Sequence, residues 1–326
     1  MTAPAIAPAD EAPHAPGPEL QWSESCSFWL YDASSSLAGS LRVAVRPNEG
    51  MMDAGLHFWI PDGGFVATRH VKAQSGNTER LEVGDARLEI VEPLRRWHVL
   101  HDGPAHSLAS AAEAGDREAW HRSRVERLIV DLDFEASHAA IGFAETGAGV
   151  PSPREGFEQP GTWSGSVWVS GDEYRVHGVG VRERSWGLRD WQAARLARRF
   201  SFVVGPDLAV SAVRIEGEDG VELQRGWILR DGRLETLRAV RVSTALDPAT
   251  MLPQSSRLEL EDAEGGVHLV KVDVLASAPM RSARNRRQTL ICESLARFEM
   301  DGRSGHGMAE HLFQVDGRGA PLSPVE

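Results

Sequence analysis

The residues best suited to chemistry crowd into one short stretch. Residues 177–191 read HGVGVRERSWGLRDW and set Arg182, Glu183, Arg184, Arg189 and Asp190 around Trp186 and Trp191. Upstream, residues 156–165 read GFEQPGTWSG and add Glu158 and Gln159. Burial penalises the charged form of a carboxyl and raises its pKa, so Glu183 or Glu158 in an apolar setting can hold a proton and deliver it. Arg182 or Arg189 can bind a polar end of a substrate, or orient a carboxylate through a bidentate pair. Trp and Phe faces stabilise a developing cation by about 0.5–2 kcal/mol each. A structural reading competes with this. Alternating Arg, Glu, Arg and Asp also form strand-end ion-pair networks that lock two β-units together. A Glu183 paired with Arg182 or Arg184 would stay ionised and serve only as a base. Trp186-Gly187 would then be a packing corner, the glycine allowing close backbone approach.

Other polar residues have weaker claims. Trp59 and His57 sit on the first Trp-containing hairpin and are outlying candidates for substrate contact, although a strand histidine is more often half-exposed or satisfied in a core. No H-x-H, H-E-x-x-H or C-x-x-C spacing occurs, so no metal is expected. Gly178-x-Gly180 lacks the third glycine and the following helix of a dinucleotide site, there is no P-loop, and no cofactor is expected. Ser185 lacks the G-x-S-x-G context of a hydrolase nucleophile.

These residues must be carried by strands. From residue 25 onward alternating or apolar segments recur, as in SLRVAVRP (40–47) and VERLIVDLDFEA (125–136). Turn dipeptides such as Asp62-Gly63, Asp219-Gly220, Asp231-Gly232 and Asp301-Gly302 separate them. Only 105–122 and 190–198 read as helical. About sixteen strands with so few helices predict an all-β sandwich or barrel. A faint repeat pairs FWIPDGGFVATRHVKAQS (58–75) with GWILRDGRLETLRAVRVS (226–243), Trp59 matching Trp227. His177-Gly178 is echoed by His306-Gly307, and the stretches 101–124 and 144–160 are candidates for an insertion in the first half. Two barrel-sized units of about 140 residues account for this. The predicted division is a flexible arm over 1–20, one unit over 21–165 and a second over 166–326.

Composition bounds the partners. The chain has 326 residues with 47 Asp and Glu against 35 Lys and Arg, a formal net charge of -12. Such a surface repels phosphate backbones, so nucleic acid is not an expected partner. No apolar run approaches the roughly 20 residues of a membrane helix. The Ala- and Pro-rich start has no basic region followed by an apolar one, so the cytoplasm is the default location. Cys26 and Cys292 are too few and too far apart for a disulfide framework, and read as buried thiols. A homodimer is left open. Ten Trp and ten Phe against two Tyr leave Glu as the main proton carrier.

Residues 178–191 resemble a G-x-G-x-R-D-H-S-W-G-x-R-D-W pattern found in bacterial members of a lipocalin-like superfamily. That superfamily includes the carotenoid 1,2-hydratases (hydroxyneurosporene synthases), tocopherol cyclase and fungal Diels–Alderases. Phe157-Glu158-Gln159 matches its F-E-Q element, and Gly305, Gly307 and Glu310 echo its G-x-G-x-x-E ending. The resemblance implies two tandem lipocalin-like antiparallel β-barrels or sandwiches with few short helices. It further implies a cofactor-free hydratase or lyase, isomerase or cyclase acting on a hydrophobic, isoprenoid-like or aromatic small molecule. In that reading Glu183, Glu158, Arg182 and Arg184 are catalytic, and Trp186, Arg189, Asp190, Trp191, Gln159, Trp59 and His57 bind substrate. The alternative is a non-catalytic carrier of a hydrophobic ligand. One departure counts against hydration: the pattern's acid–His pair is Glu183-Arg184 here, and a guanidinium with a pKa above about 12 shuttles no proton near neutral pH.

Overall fold

The computed structural model describes residues 5–74, 81–143, 154–317 and 319–322. Its chain divides into two compact units, one of Met1–Ser110, Glu118–Glu145 and Pro153–Arg189, the other of Ala111–Arg117, Thr146–Ser152 and Asp190–Glu326. The division falls after Arg189, so residues 166–189 lie with the first unit.

In the first unit the strands are β1 (Trp22–Asp32), β2 (Leu37–Arg46), β3 (Met51–Trp59), β4 (Phe65–Ala73), β5 (Leu81–Val83), β6 (Ala86–Glu92), β7 (Arg96–Leu108), β8 (Arg124–Ala136), β9 (Ile141–Gly142), β10 (Arg154–Val169) and β11 (Asp172–Leu188). They hydrogen-bond in the order β4-β3-β2-β1-β11-β10-β8-β7-β6-β5, and a short β4–β7 pairing draws the sheet round on itself. Alternate residues point inward, among them Cys26, Phe28, Leu41, Phe58, Trp97, Phe134 and Trp163.

The second unit is a closed barrel of eight consecutive antiparallel strands: β12 (Ala194–Val204), β13 (Leu208–Gly217), β14 (Glu222–Arg230), β15 (Arg233–Leu246), β16 (Pro253–Asp262), β17 (Val267–Arg284), β18 (Arg287–Met300) and β19 (Arg303–Val315). Phe200, Phe202, Val210, Leu260 and Phe298 fill its core. Asp231-Gly232 and Asp301-Gly302 turn tight hairpins, both residues of each pair having positive φ. The chain is therefore all-β, with two barrel-like units. The repeated stretches fall on corresponding hairpins, β3–β4 and β14–β15.

Three sequence expectations differ from what forms. Residues 190–198 are not helical: β12 starts at Ala194, and Leu196, Arg198 and Phe200 alternate inward between two pairing strands. That period of two overrides the helix propensity of Ala, Leu and Arg. In 105–122 only Arg117–Arg122 is α-helical, after a short 3-10 turn at Ala111–Gly115 and the end of β7. Of the stretch 144–160, residues 144–153 lie outside the described residues. The described part of the supposed flexible arm, residues 5–20, makes fixed contacts. Asn48 Nδ2 donates to Gly17 O and Glu19 O at 2.8 and 2.7 Å, and Glu11 is buried. Average composition conceals one anchoring carboxylate. Cys26 and Cys292 are both buried free thiols.

Candidate functional site

The motif of residues 178–191 lies mostly on β11, between β1 and β10. Its Gly178-x-Gly180 serves packing, since a Cβ on Gly180 would stand 1.9 Å from Trp29 O and 2.7 Å from Trp163 Nε1. Gly305 and Gly307 on β19 do the same for the second unit, where a Cβ would meet Val203 O and Ser201 O at 2.1 Å each. In both units this pair of glycines sits on the strand that bonds to the unit's first long strand.

Alternation along β11 splits the charged residues between two faces. Arg182 and Arg184 share the inward face of Cys26, Phe28, Gln159 and Phe157. Glu183 and Ser185 share the opposite face with Ser25 and Glu158. The alternative in which Glu183 pairs with Arg182 or Arg184 is disfavoured, because adjacent strand residues point apart.

On the inward face Arg182 is 1% exposed. Its Nε donates to Gln159 Oε1 at 2.9 Å, its Nη1 to Glu11 Oε2 at 3.4 Å, and its Nη2 to both Gln159 and Glu11. The guanidinium lies 5.2 Å from the Trp97 ring centre and 5.0 Å from that of Phe157. Glu11 also accepts from Leu94 N at 3.1 Å and Trp97 Nε1 at 3.4 Å. Gln159 Nε2 donates to Leu94 O and His138 O at 2.9 and 3.0 Å. Burial pulls the Arg182 pKa down while Glu11 opposes it. Arginine is basic enough to stay charged regardless.

Next along the strand, Arg184 Nη2 donates to Glu24 Oε1 at 2.7 Å and Ala12 O at 3.1 Å, while Nη1 donates to Cys26 Sγ. Burial works against the Arg184 charge, but the neighbouring Cys26, Glu24 and Glu11 carry its pKa upward. Burial raises the Cys26 thiol. The sulfur is therefore a soft, uncharged dipole at neutral pH. His14 donates its backbone N–H to Glu24 Oε2 at 3.1 Å, and its Nδ1 lies 2.8 Å from Oε1. The His14 ring stacks on Trp186 at 3.7 Å and 11°. Trp186 Nε1 donates to Glu155 Oε2 at 3.2 Å.

On the opposite face the two candidate acids meet. Glu158 and Glu183 are directly paired positions of β10 and β11 and are 4% and 3% exposed. Directly opposed strand residues carry their Cβ atoms about 4.5–5.5 Å apart. Ser185 Oγ donates to Glu183 Oε1 at 2.8 Å. Arg189 Nη2 donates to Ser25 Oγ at 3.2 Å and Ser185 Oγ at 3.3 Å, and lies 3.9 Å from Glu183 Oε1. Two carboxyls with hydroxyl and guanidinium support can pass protons to and from a bound molecule.

A family model described as "Domain of unknown function (DUF7064)" matches residues 7–315. The chain belongs to that DUF7064 family. Among solved structures, a Nitrosomonas europaea protein provisionally named AttH aligns with TM-score 0.68 and 16% identity over 94% of this chain and 97% of its own. Kievitone hydratase of Nectria haematococca aligns with TM-score 0.63 and 12% identity, covering 96% and 95% of the two chains. CghA aligns with TM-score 0.58 and 11% identity over 96% and 95%. At such identities the likeness shows the fold. No functionally curated protein matches the sequence.

In this DUF7064 chain His57 and Trp59 lie apart from the carboxyl pair within the first unit. Asp190 and Trp191 belong to the second unit, where Asp190 Oδ1 accepts from Gln192 N at 2.9 Å and Trp191 packs on Ala194, Ile291 and Leu312. His57 is in register with Ser40, Trp29 and Val181, so three strand spacings of about 4.8 Å separate it from β11. Trp59 packs edge-on against Phe65 at 5.4 Å. A small apolar crevice, with room for no more than about one water, lies between Leu41, Val43, Leu56, Leu88 and Val99. Glu11, His14, Glu24 and Ser25 escaped the sequence reading, since each sits in an unremarkable polar context and its role comes from register. In the second unit Glu235, Asp262 and His268 bring donor atoms within 4.8 Å of one another. Asp262 already bonds His268 Nε2 at 3.1 Å and caps its turn through Glu264 N and Gly266 N.

Proposed function

We propose that this chain is a cofactor-free acid–base enzyme that adds or removes a proton at an unsaturated carbon of a hydrophobic substrate. Glu183 is the proton-transfer group and Glu158 its partner. The observation that carries the reading is their direct pairing across β10 and β11, both buried, with Ser185 Oγ on Glu183. In the hydration direction one carboxyl gives its proton to an alkene carbon. Water adds to the resulting cation and loses a proton to the other carboxylate, and a proton passed across the pair restores the start. Where no water adds, loss of a different C–H proton from the cation to the other carboxylate gives isomerisation, or cyclisation if a second double bond of the substrate closes on the cation first. Kievitone hydratase shares the fold and is by name a hydratase, which supports hydration as the first reaction to test. Arg189 orients Ser185 and Ser25, while Arg182 and Arg184, on the other face, position β11.

The test is incubation in D2O with a panel of isoprenoid alcohols, linear polyenes and prenylated phenols, read by mass spectrometry. Deuterium at carbon, or the mass of added D2O, is expected in at least one product. Glu183→Gln keeps an acceptor for Ser185 and should lose about a hundredfold or more in rate. Its ligand affinity, read by Trp quenching, should be unchanged. Equal turnover by Glu183→Gln removes Glu183 from the mechanism. Saturable quenching with every ligand recovered free of deuterium would make the chain a carrier instead.

A further inference from the structure

The interior of the second unit carries an unbalanced charge. The face of β12 that sends Phe200 and Phe202 into the core also carries Arg198, which is 1% exposed. Its cross-strand neighbours are polar on both sides, His311 on β19 and Arg214 on β13. His311 stands beside Cys292 on β18, and Arg214 beside Gln224 on β14. From β16, Ser256 Oγ reaches His311 Nε2 at 3.2 Å, and Thr244 on β15 lies 3.0 Å from Ser256. A polar belt thus crosses a barrel packed elsewhere with Phe, Val and Leu.

The charges of that belt do not cancel. Arg214 is bonded to Glu222 at 2.8 Å. Among the described residues Arg198 has no carboxylate partner. Its Nη1 donates to Ala197 O at 3.0 Å and Leu312 O at 3.4 Å, while its Nε and Nη2 are buried without an acceptor. Nε and Nη2 carry the parallel N–H bonds of the guanidinium's side, the geometry that matches two coplanar oxygens. In the first unit Arg127 uses this same edge to hold Asp102 at 2.7 and 2.7 Å. His311 Nδ1 is buried too, with the Ala309 backbone beside it. Burial holds the Arg198 pKa down at about 9 and the His311 pKa well below its usual value, so near neutral pH Arg198 is charged and His311 is not.

We infer that the barrel of the second unit binds a monocarboxylate with an apolar body, its two oxygens held by Nε and Nη2 of Arg198. A planar acid group fits the fork, and one negative charge balances the single unmatched positive one. A dianion would leave a net buried charge. The body has apolar company in Phe313, whose ring lies 6.0 Å from the guanidinium, and in Leu196 and Leu290. This site is independent of the carboxyl pair of the first unit.

Full-length protein titrated with decanoate, decanol and inorganic phosphate by calorimetry, with Tm as second readout, tests the inference. Decanoate and the aromatic acid cinnamate probe two shapes of body. At least one should bind at a single site and raise Tm, whereas decanol and phosphate should not. Arg198→Met should weaken that binding more than tenfold, and Arg198→Lys, which keeps the charge without the fork, should weaken it also. Unliganded Arg198→Met should melt at or above the wild type, because it removes a stranded charge. Glu183→Gln should bind the carboxylate unchanged, which keeps this test separate from the enzymatic one. Binding of decanol as tight as decanoate, unaltered affinity in Arg198→Met, binding by phosphate alone, or no binding by either acid would each overturn the assignment. The wild-type comparison of decanoate with decanol stands even if Arg198→Met does not fold.

Discussion

Replacing Glu11 by alanine should loosen the first unit far more than its place near the chain start suggests. Glu11 is 2% exposed and is the ion-pair partner of Arg182, 171 positions along the chain. Removing one member of a buried pair strands the other charge and costs about 3–5 kcal/mol. Leu94 N and Trp97 Nε1 lose an acceptor in the same change. The variant Glu11→Gln keeps an oxygen for those donors, so it should lose the charge pairing and retain about 1 kcal/mol per neutral hydrogen bond. Adding Arg182→Met to Glu11→Ala removes the stranded guanidinium, so the double variant should be more stable than Glu11→Ala alone, with a coupling of about 2–3 kcal/mol. Hydrogen exchange followed by mass spectrometry on peptides from β7 and β11 reads the opening of this unit separately from the other. At 1.4 kcal/mol per factor of ten, exchange in Glu11→Ala should be faster by roughly a hundredfold to a few thousandfold. The exposed Glu19→Ala is the control. Acceleration of less than about tenfold, or an equal effect from Glu19→Ala, would refute the reasoning, since a stranded charge must cost more than that.

Three further outcomes are expected. His101 and His311 are buried with depressed pKa values, desolvation being the main cause in both. The unfolded chain therefore binds protons that the folded one refuses. Stability should be full above pH about 6.5 and fall below it by up to about 1.4 kcal/mol per pH unit for each histidine, until the folded pKa is reached. Urea midpoints that agree at pH 7.5 and 5.5 would contradict this. Gly180→Ala should abolish soluble folding or cost more than about 3 kcal/mol, because its Cβ meets backbone rather than a movable side chain. Gly232→Ala, with φ +76 but open space, should cost about 1 kcal/mol, and equal melting temperatures for the two would be inconsistent. Neither Cys26 nor Cys292 should react with a disulfide reagent in native protein at pH 8, both being buried and the Cys292 thiol pushed up to about 12. Rapid labelling of either before denaturation would show an opening absent from this structure.

Much of the architecture was legible because alternation is a local property. SLRVAVRP and VERLIVDLDFEA lie within β2 with its following turn and within β8, and the Asp-Gly pairs at 231 and 301 turn hairpins. Legibility failed where two local signals disagreed, as in residues 190–198, where good helix formers also alternate. Arg198 was lost in the same misreading, since ARLARRF looks like an exposed basic helix face until strand pairing turns every second residue inward. Within the site, Glu158 and Glu183 could be singled out by type, but their direct opposition depends on a register that no local pattern encodes. Glu11 and Glu24 were invisible for the same reason. Their partners lie 171 and 160 residues away.

The two faces of β11 also bear on the one departure that counted against acid chemistry. A strand buried on both faces ordinarily reads as a hydrophobic run. This one reads as charge. Arg182 and Arg184 are met from outside the strand, by Glu11 and Glu24, and the Glu183 carboxyl by Ser185 on β11 itself with Arg189 nearby. Residues 183 and 184 therefore point away from each other, and no molecule bound on one face touches both. A histidine at 184 would face Cys26 and Glu24, not the carboxyl of Glu183. Arginine at that position removes nothing from the face where Glu158 and Glu183 meet. It exchanges one cation for a larger one in the network that braces β11 against β1 and residues 11–14. The proton chemistry proposed for Glu183 thus stands or falls on its own face of the strand, and the comparison that decides it is Glu183→Gln against Arg184→His. The first should abolish turnover. The second should alter stability while leaving the dependence on Glu183 intact, and loss of turnover in Arg184→His at unchanged stability would show that the two faces are coupled after all.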